Sequence, residues 1–195
     1  MEFKNFLKLF REFPQIDQTA KVLSRPNSHI HWKGHVGSSR SISAIAVAEQ
    51  TPGHHVFILN DKNELMLQQR AHHKYHSPLL WTNTCCSHQR VGETNIEAGT
   101  RRLREEMGFE ADLKELFHFI YKAPFDNGLT EHELDHVMIG YFENEPEINI
   151  EEVESWKWMK IEDIKEDMIQ NPEIYTIWFK IIFDEFYHYI EDHKI

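Results

Sequence analysis

Apolar residues recur at helical spacing at the start of the chain, where Phe3, Phe6, Leu7, Phe10 and Phe13 define one stripe of an amphipathic helix that Pro14 ends. Pro26, Gly34, Gly37, Pro52 and Gly53 punctuate the next stretch, and only residues 41–48 read there as a strand. From Val56 the pattern sharpens. Residues 56–59 and 65–67 are apolar runs separated by Asn60-Asp61-Lys62-Asn63, which predicts two strands joined by a polar turn. A loop through Pro78 leads to an extended segment over 81–85. Thr94 followed by Glu97 is a capping box that opens a helix running to Met107, with Gly108 closing it. Strands over 116–121, 132–141 and 156–159 and helices over 161–169 and 174–188 complete the pattern. Strands and helices are mixed without strict alternation, so the expectation is a single α/β domain over residues 1–195.

Composition narrows the classes. No apolar run approaches the roughly 20 residues of a membrane-spanning helix, and the first residues lack the apolar core of a secretory signal. The expected setting is therefore the cytoplasm, with no membrane partner. A formal charge of −11 repels a polyanion, which excludes nucleic acid as a natural ligand. Cys85 and Cys86 are the two cysteines, and a bridge between neighbours strains disulfide geometry, so both read as thiols. Composition leaves monomer and homodimer open.

Three short segments carry candidate chemistry. Arg102 and Glu106 lie four apart on the predicted helix, where the carboxylate suits a divalent cation and the guanidinium a diphosphate oxygen. On spacing alone an ordinary surface ion pair is the commoner outcome. Cys86 and His88 share a face if that segment is extended, although a lone Cys-x-His is more often ordinary packing. Glu131 and Glu133 also share a strand face, and their repulsion is costly unless a cation or proton intervenes.

Registered on Gly108, the helix resembles the end of a Nudix box, to which this chain supplies Glu93, Arg101, Leu103, Glu105, Glu106 and Phe109. Ser87 stands where that pattern has glycine, and Arg102 where it has a glutamate, which leaves the hydrolase carboxylate cluster incomplete. The ordered set Leu65-Met66-Leu67-Gln68-Gln69-Arg70, Thr82-Asn83-Thr84-Cys85-Cys86-Ser87-His88, Tyr121-Lys122-Ala123, Glu131-His132-Glu133-Leu134-Asp135 and Trp178-Phe179-Lys180-Ile181-Ile182 closely resembles type 1 isopentenyl-diphosphate isomerases. The resemblance runs from about His54 to the C-terminus.

That resemblance implies a Nudix-type mixed sheet sandwiched between helices and a small allylic or homoallylic diphosphate substrate. It implies Cys86 and Glu133 as the acid–base pair, Tyr121 near Glu133, and Trp178 with its π face toward a carbocation, though Trp178 alone would read as a core aromatic. His88, Glu131 and Glu133 would hold one divalent metal, Zn²⁺, Mn²⁺ or Mg²⁺, with His54 as a further ligand. The family's other N-terminal histidine has no clear counterpart here, His35 being one candidate. Glu106 would hold Mg²⁺ with the diphosphate, which Arg70, Lys74 and Arg102 would grip. The rival readings are a Nudix diphosphate hydrolase and a catalytically impaired family member.

Overall fold

A computed structural model of the chain describes residues 53–90, 92–124 and 130–194, with the side chains of 121–132 left out. The expected opening helix and the strand over 41–48 lie outside these residues, as does His35.

Seven strands form one mixed sheet: β1 (Gly53–Leu59), β2 (Glu64–Arg70), β3 (Trp81–Thr82), β4 (Cys85–His88), β5 (Lys114–Pro124), β6 (Thr130–Tyr141) and β7 (Val153–Lys160). The central path runs β3-β2-β1-β6-β5, with β4 added beside β1 and β7 beside β2. The β1–β6 pairing is parallel and the rest are antiparallel. Helix α1 (Asn95–Met107) covers one face, and α2 (Ile161–Gln170) and α3 (Ile177–His193) cover the other.

Strand alternation decides which face each residue serves. On β1, Phe57 and Leu59 pack with Phe179 and Phe186 of α3, whereas Val56 and Ile58 pack with Leu103 and Met107 of α1. The Phe57 and Phe186 rings stack with centroids 4.0 Å apart. Each fully buried aromatic of this kind contributes roughly 1.5–3 kcal/mol of apolar transfer.

The capping box is present: the Glu97 backbone N–H donates to Thr94 Oγ1 at 3.2 Å, and the Thr94 backbone N–H donates to the Glu97 carboxylate at 2.8 Å. Gly108 ends α1 at φ 74°, where a Cβ would lie 2.4 Å from the Glu147 carbonyl oxygen. Only glycine satisfies both demands.

Two elements differ from expectation. The extended segment expected over 81–85 divides into β3 and β4, because Asn83 and Thr84 carry the chain from β2 across to β1. The last helix begins at Ile177, not 174: Pro172–Ile174 is a single 3₁₀ turn, and the Thr176 hydroxyl caps the helix by accepting from the Phe179 N–H at 3.4 Å. No helix among the described residues is long and apolar enough to cross a membrane.

Candidate active site

β1 and β2 meet directly only where Leu59 pairs with Leu65. Beyond that point they diverge, and the Thr82-Asn83-Thr84 segment fills the gap. All three residues are fully buried, and their polar atoms satisfy the strand groups that the divergence leaves unpaired. Thr84 Oγ1 accepts from the Ile58 N–H at 3.0 Å and donates to the Met66 carbonyl at 2.6 Å. Asn83 Nδ2 donates to the carbonyls of Val56 at 3.2 Å and Cys85 at 2.6 Å. These bonds fix β4 against the start of β1, with His55 opposite Cys86 and Gly53 opposite His88.

Because paired residues share a face, Cys86 and His88 point to the α3 side, together with His55, Glu133 and Asp135. His88 Nε2 lies 3.0 Å from Glu133 Oε1, and His55 Nε2 lies 2.8 Å from Asp135 Oδ2. Burial pushes the Glu133 carboxyl up, but the neighbouring His88, His55 and His76 outweigh it, so the group is held below the usual glutamate range. Gly53 is part of this arrangement, since a Cβ there would lie 1.9 Å from Asp135 Oδ1 and 3.4 Å from Glu133 Oε2. Tyr121 pairs in register with Glu133, and Glu131 with Ala123, so both backbones border the site.

Trp178 projects from the first turn of α3 into the same side of the sheet. Its indole N–H donates to Thr82 Oγ1 at 3.0 Å, which ties the ring to the segment that sets β4. The register of β2 slips at Gln69/Arg70, a bulge of the kind that re-aims a side chain, and the Arg70 guanidinium stands over the Trp178 ring at 5.1 Å. The His76 ring meets Trp178 edge-on at 5.4 Å. Burial, with Arg70 and Lys74 nearby, pushes the His76 ring down to about 4. It is therefore a neutral imidazole at neutral pH.

Two of the diphosphate candidates, Lys74 and Arg102, belong to one chain of ion pairs. Lys74 and Arg102 both pair with Glu152, and Arg102 also bonds Glu105 at 2.7 Å and Glu106. Glu106 is buried, and Gln68 Nε2 donates to it at 2.7 Å. The Nε donors of Arg70 and Arg102 are buried without a hydrogen-bond partner among the described residues, so each cation keeps capacity for an anion. Glu93 and Glu105, the remaining box carboxylates, are tied to Arg101 at 2.7 Å and 3.3 Å. The Arg101 hydrogen bond holds Glu93 below the usual carboxylate range.

His54 stands apart from the His88 and Glu133 group. Alternation sends it to the α1 side with Val56 and Ile58, so His55 faces the site instead. His54 is fully buried, and burial with His88, His55, Arg101 and Arg102 nearby pushes its ring far down. Asp135 was visible in the sequence as the next step of the Glu131-x-Glu133 alternation. His55, His76 and Glu152 gave no such signal, because their place depends on register and on the partners that loops bring.

The donor set fits a divalent ion. His88 and Glu133 are in contact, and beside them His55 Nδ1 and Asp135 Oδ1 are buried without a partner among the described residues.

Comparison with known proteins identifies the family. The NUDIX domain family matches residues 49–179. An isopentenyl-diphosphate Delta-isomerase of Serratia proteamaculans is 46% identical over 127 residues, covering 65% of this chain and 71% of that protein. Isopentenyl-diphosphate Delta-isomerase 2 of Photorhabdus laumondii is 49% identical over 127 residues, covering 65% and 72%. The chain belongs to the isopentenyl-diphosphate Delta-isomerase family, within the NUDIX fold. For the fold alone, a MutT protein from Methanosarcina mazei Go1 superposes with a TM-score of 0.58 at 16% identity, covering 73% of this chain and 94% of that one. A MutT NUDIX hydrolase from Burkholderia pseudomallei gives 0.54 at 19%, covering 68% and 94%. Both structures share the fold of this chain.

Proposed function

We propose that the protein interconverts isopentenyl and dimethylallyl diphosphates, a step of isoprenoid biosynthesis, by protonating one alkene carbon and deprotonating another. The observation that carries this reading is the placement of Cys86, His88, Glu133 and Trp178 on one face of the sheet, beside buried cations with unspent donors. An unactivated alkene is a weak base, so the reaction needs an acid, a base, and protection for a tertiary carbocation.

Cys86 and Glu133 form the acid–base pair. One delivers a proton to the terminal alkene carbon, and the other removes a proton from the carbon on the far side of the resulting cation. The reverse reaction exchanges their tasks, and solvent resets both. Trp178 offers its ring face to the cation, a contact worth up to about 2 kcal/mol when dry. Tyr121, opposite Glu133 in register, would orient that carboxylate.

His88, Glu131 and Glu133 would hold a divalent ion, Zn²⁺, Mn²⁺ or Mg²⁺, and Glu106 would hold Mg²⁺ with the diphosphate. A bound ion of this kind supplies fixed positive charge that orients carboxylates and neutralises phosphate oxygens. Arg70, Lys74 and Arg102 bind the diphosphate, with Glu152 holding the last two in place. A hydrolase reading is less well supported, because Arg102 occupies a box carboxylate position and binds Glu105 and Glu106. Cys85 and Cys86 are free thiols, and the role given to a reduced Cys86 supports a reducing setting such as the cytoplasm for the activity.

The test is incubation of isopentenyl diphosphate with enzyme and Mg²⁺ in deuterated water, followed by NMR. Label entering both isomers without phosphate release is expected. Phosphate release without label would overturn the proposal.

A further inference from the structure

Across the sheet from Cys86 and Glu133, strand register lines up three histidines. His54 of β1 pairs with His136 of β6, and His136 pairs with His118 of β5. All three point to the α1 side, since paired residues share a face and Met138, two positions after His136, packs against α1. Glu115 joins the row from β5. Ligand-capable atoms of Glu115, His118 and His136 lie within 4.8 Å of one another, and Glu115 Oε1 is 2.7 Å from His136 Nδ1.

We propose that Glu115, His118 and His136 form a second metal site, selective for a zinc-class divalent ion and separate from the proposed catalytic site. Two imidazoles and one carboxylate are a donor set that such ions favour over Mg²⁺, which prefers oxygen. Tetrahedral metal–ligand bonds of about 2.0–2.2 Å set donor atoms roughly 3.3–3.6 Å apart, so the Glu115–His136 pair would open and the more distant donors close through side-chain rotations. The carboxylate is already oriented from behind: Asn95 Nδ2 donates to Glu115 Oε2 at 3.0 Å, and Gln89 Nε2 donates to Asn95 Oδ1. Such outer partners characterise metal ligands.

His54 supplies an independent observation. It is fully buried at the inner end of the row, and neither ring nitrogen has a hydrogen-bond partner among the described residues. Buried imidazoles are ordinarily paired, so this ring, in register with His136 on the same face, leaves an unmet polar group at the inner end of the row, while the ligand atoms within 4.8 Å of one another are those of Glu115, His118 and His136. Binding there would clip the edge strand β5 to β6.

The experiment strips the protein with a chelator and titrates it with Co²⁺, read by visible absorption. In a His88→Ala background, which removes a proposed catalytic-site ligand, one equivalent with the bands of low-coordinate cobalt is expected. Adding His118→Ala, or Glu115→Gln if that variant folds better, should weaken this binding at least about tenfold. Zn²⁺ added to the wild-type protein should shift the His118 and His136 ring signals in NMR. Equal cobalt binding with and without His118, or unmoved ring signals, would refute the site. The readout does not depend on turnover, so it stands or falls apart from the isomerase proposal. His118→Ala alone should leave turnover unchanged.

Discussion

Replacing Thr84 with valine isolates the device that positions the proposed chemistry. Valine matches threonine in shape but cannot take part in the two bonds that the hydroxyl makes, to the Ile58 N–H at 3.0 Å and the Met66 carbonyl at 2.6 Å. Ile58, Met66 and Thr84 are all fully buried, so water cannot replace the lost partner. An orphaned buried donor or acceptor costs about 1–3 kcal/mol, and two together set the range at roughly 2–5 kcal/mol once the added methyl's burial is allowed for. For a chain of this size, about 3 kcal/mol lowers Tm by roughly 6–12 °C. Urea unfolding at fixed pH measures the free energy, and Thr84→Ser is the control, since it keeps both bonds and loses only a methyl, about 1 kcal/mol. Turnover of Thr84→Val should fall even where the protein is folded, because Cys86 and His88 take their position from this wedge. A stability loss below about 1 kcal/mol, or one no larger than that of Thr84→Ser, would mean that the hydroxyl does not hold the strands apart as argued.

The adjacent cysteines should separate cleanly in mutagenesis. Cys86→Ala should abolish turnover while substrate binding, read by calorimetry, persists, whereas Cys85→Ala should cost roughly 1 kcal/mol of packing and little activity, because Cys85 is fully buried against α1. Gly53→Ala should disrupt the His55–Asp135 pair and displace Glu133, since its Cβ would lie 1.9 Å from Asp135 Oδ1; a crystal structure of the variant with that pair intact would refute this. His76 should titrate near pH 4 by NMR rather than near 6.5, and Arg70→Ala should move it upward. The unfolded chain then binds the extra proton between those values, so stability attributable to His76 is present above about 6.5 and is lost as pH falls toward 4. His76→Gln should flatten that part of the stability–pH profile.

Much of this was legible in the chain. The capping box, Gly108, the alternation of β6 and the order of motifs are local features, set by periods of two and 3.6 residues that neighbouring side chains reveal. They carried the resemblance to the family, and it was that resemblance, not periodicity, that implied the mixed sheet between helices and grouped Cys86, His88 and Glu133. What lay beyond them depended on register. His54 and His55 are adjacent in sequence, and a shift of one residue sends a strand side chain to the opposite face, so only the pairing of β1 with β4 and β6 decides that His55 joins Asp135 beside Glu133. The same pairing aligns His54, His136 and His118, residues far apart in the chain, into one row. Glu152 meets Lys74 and Arg102 only because a loop before β7 folds over the end of β2. Sequence fixes periodicity and donor type through short-range forces. Which donors converge is settled by long-range strand pairing, which no local pattern encodes.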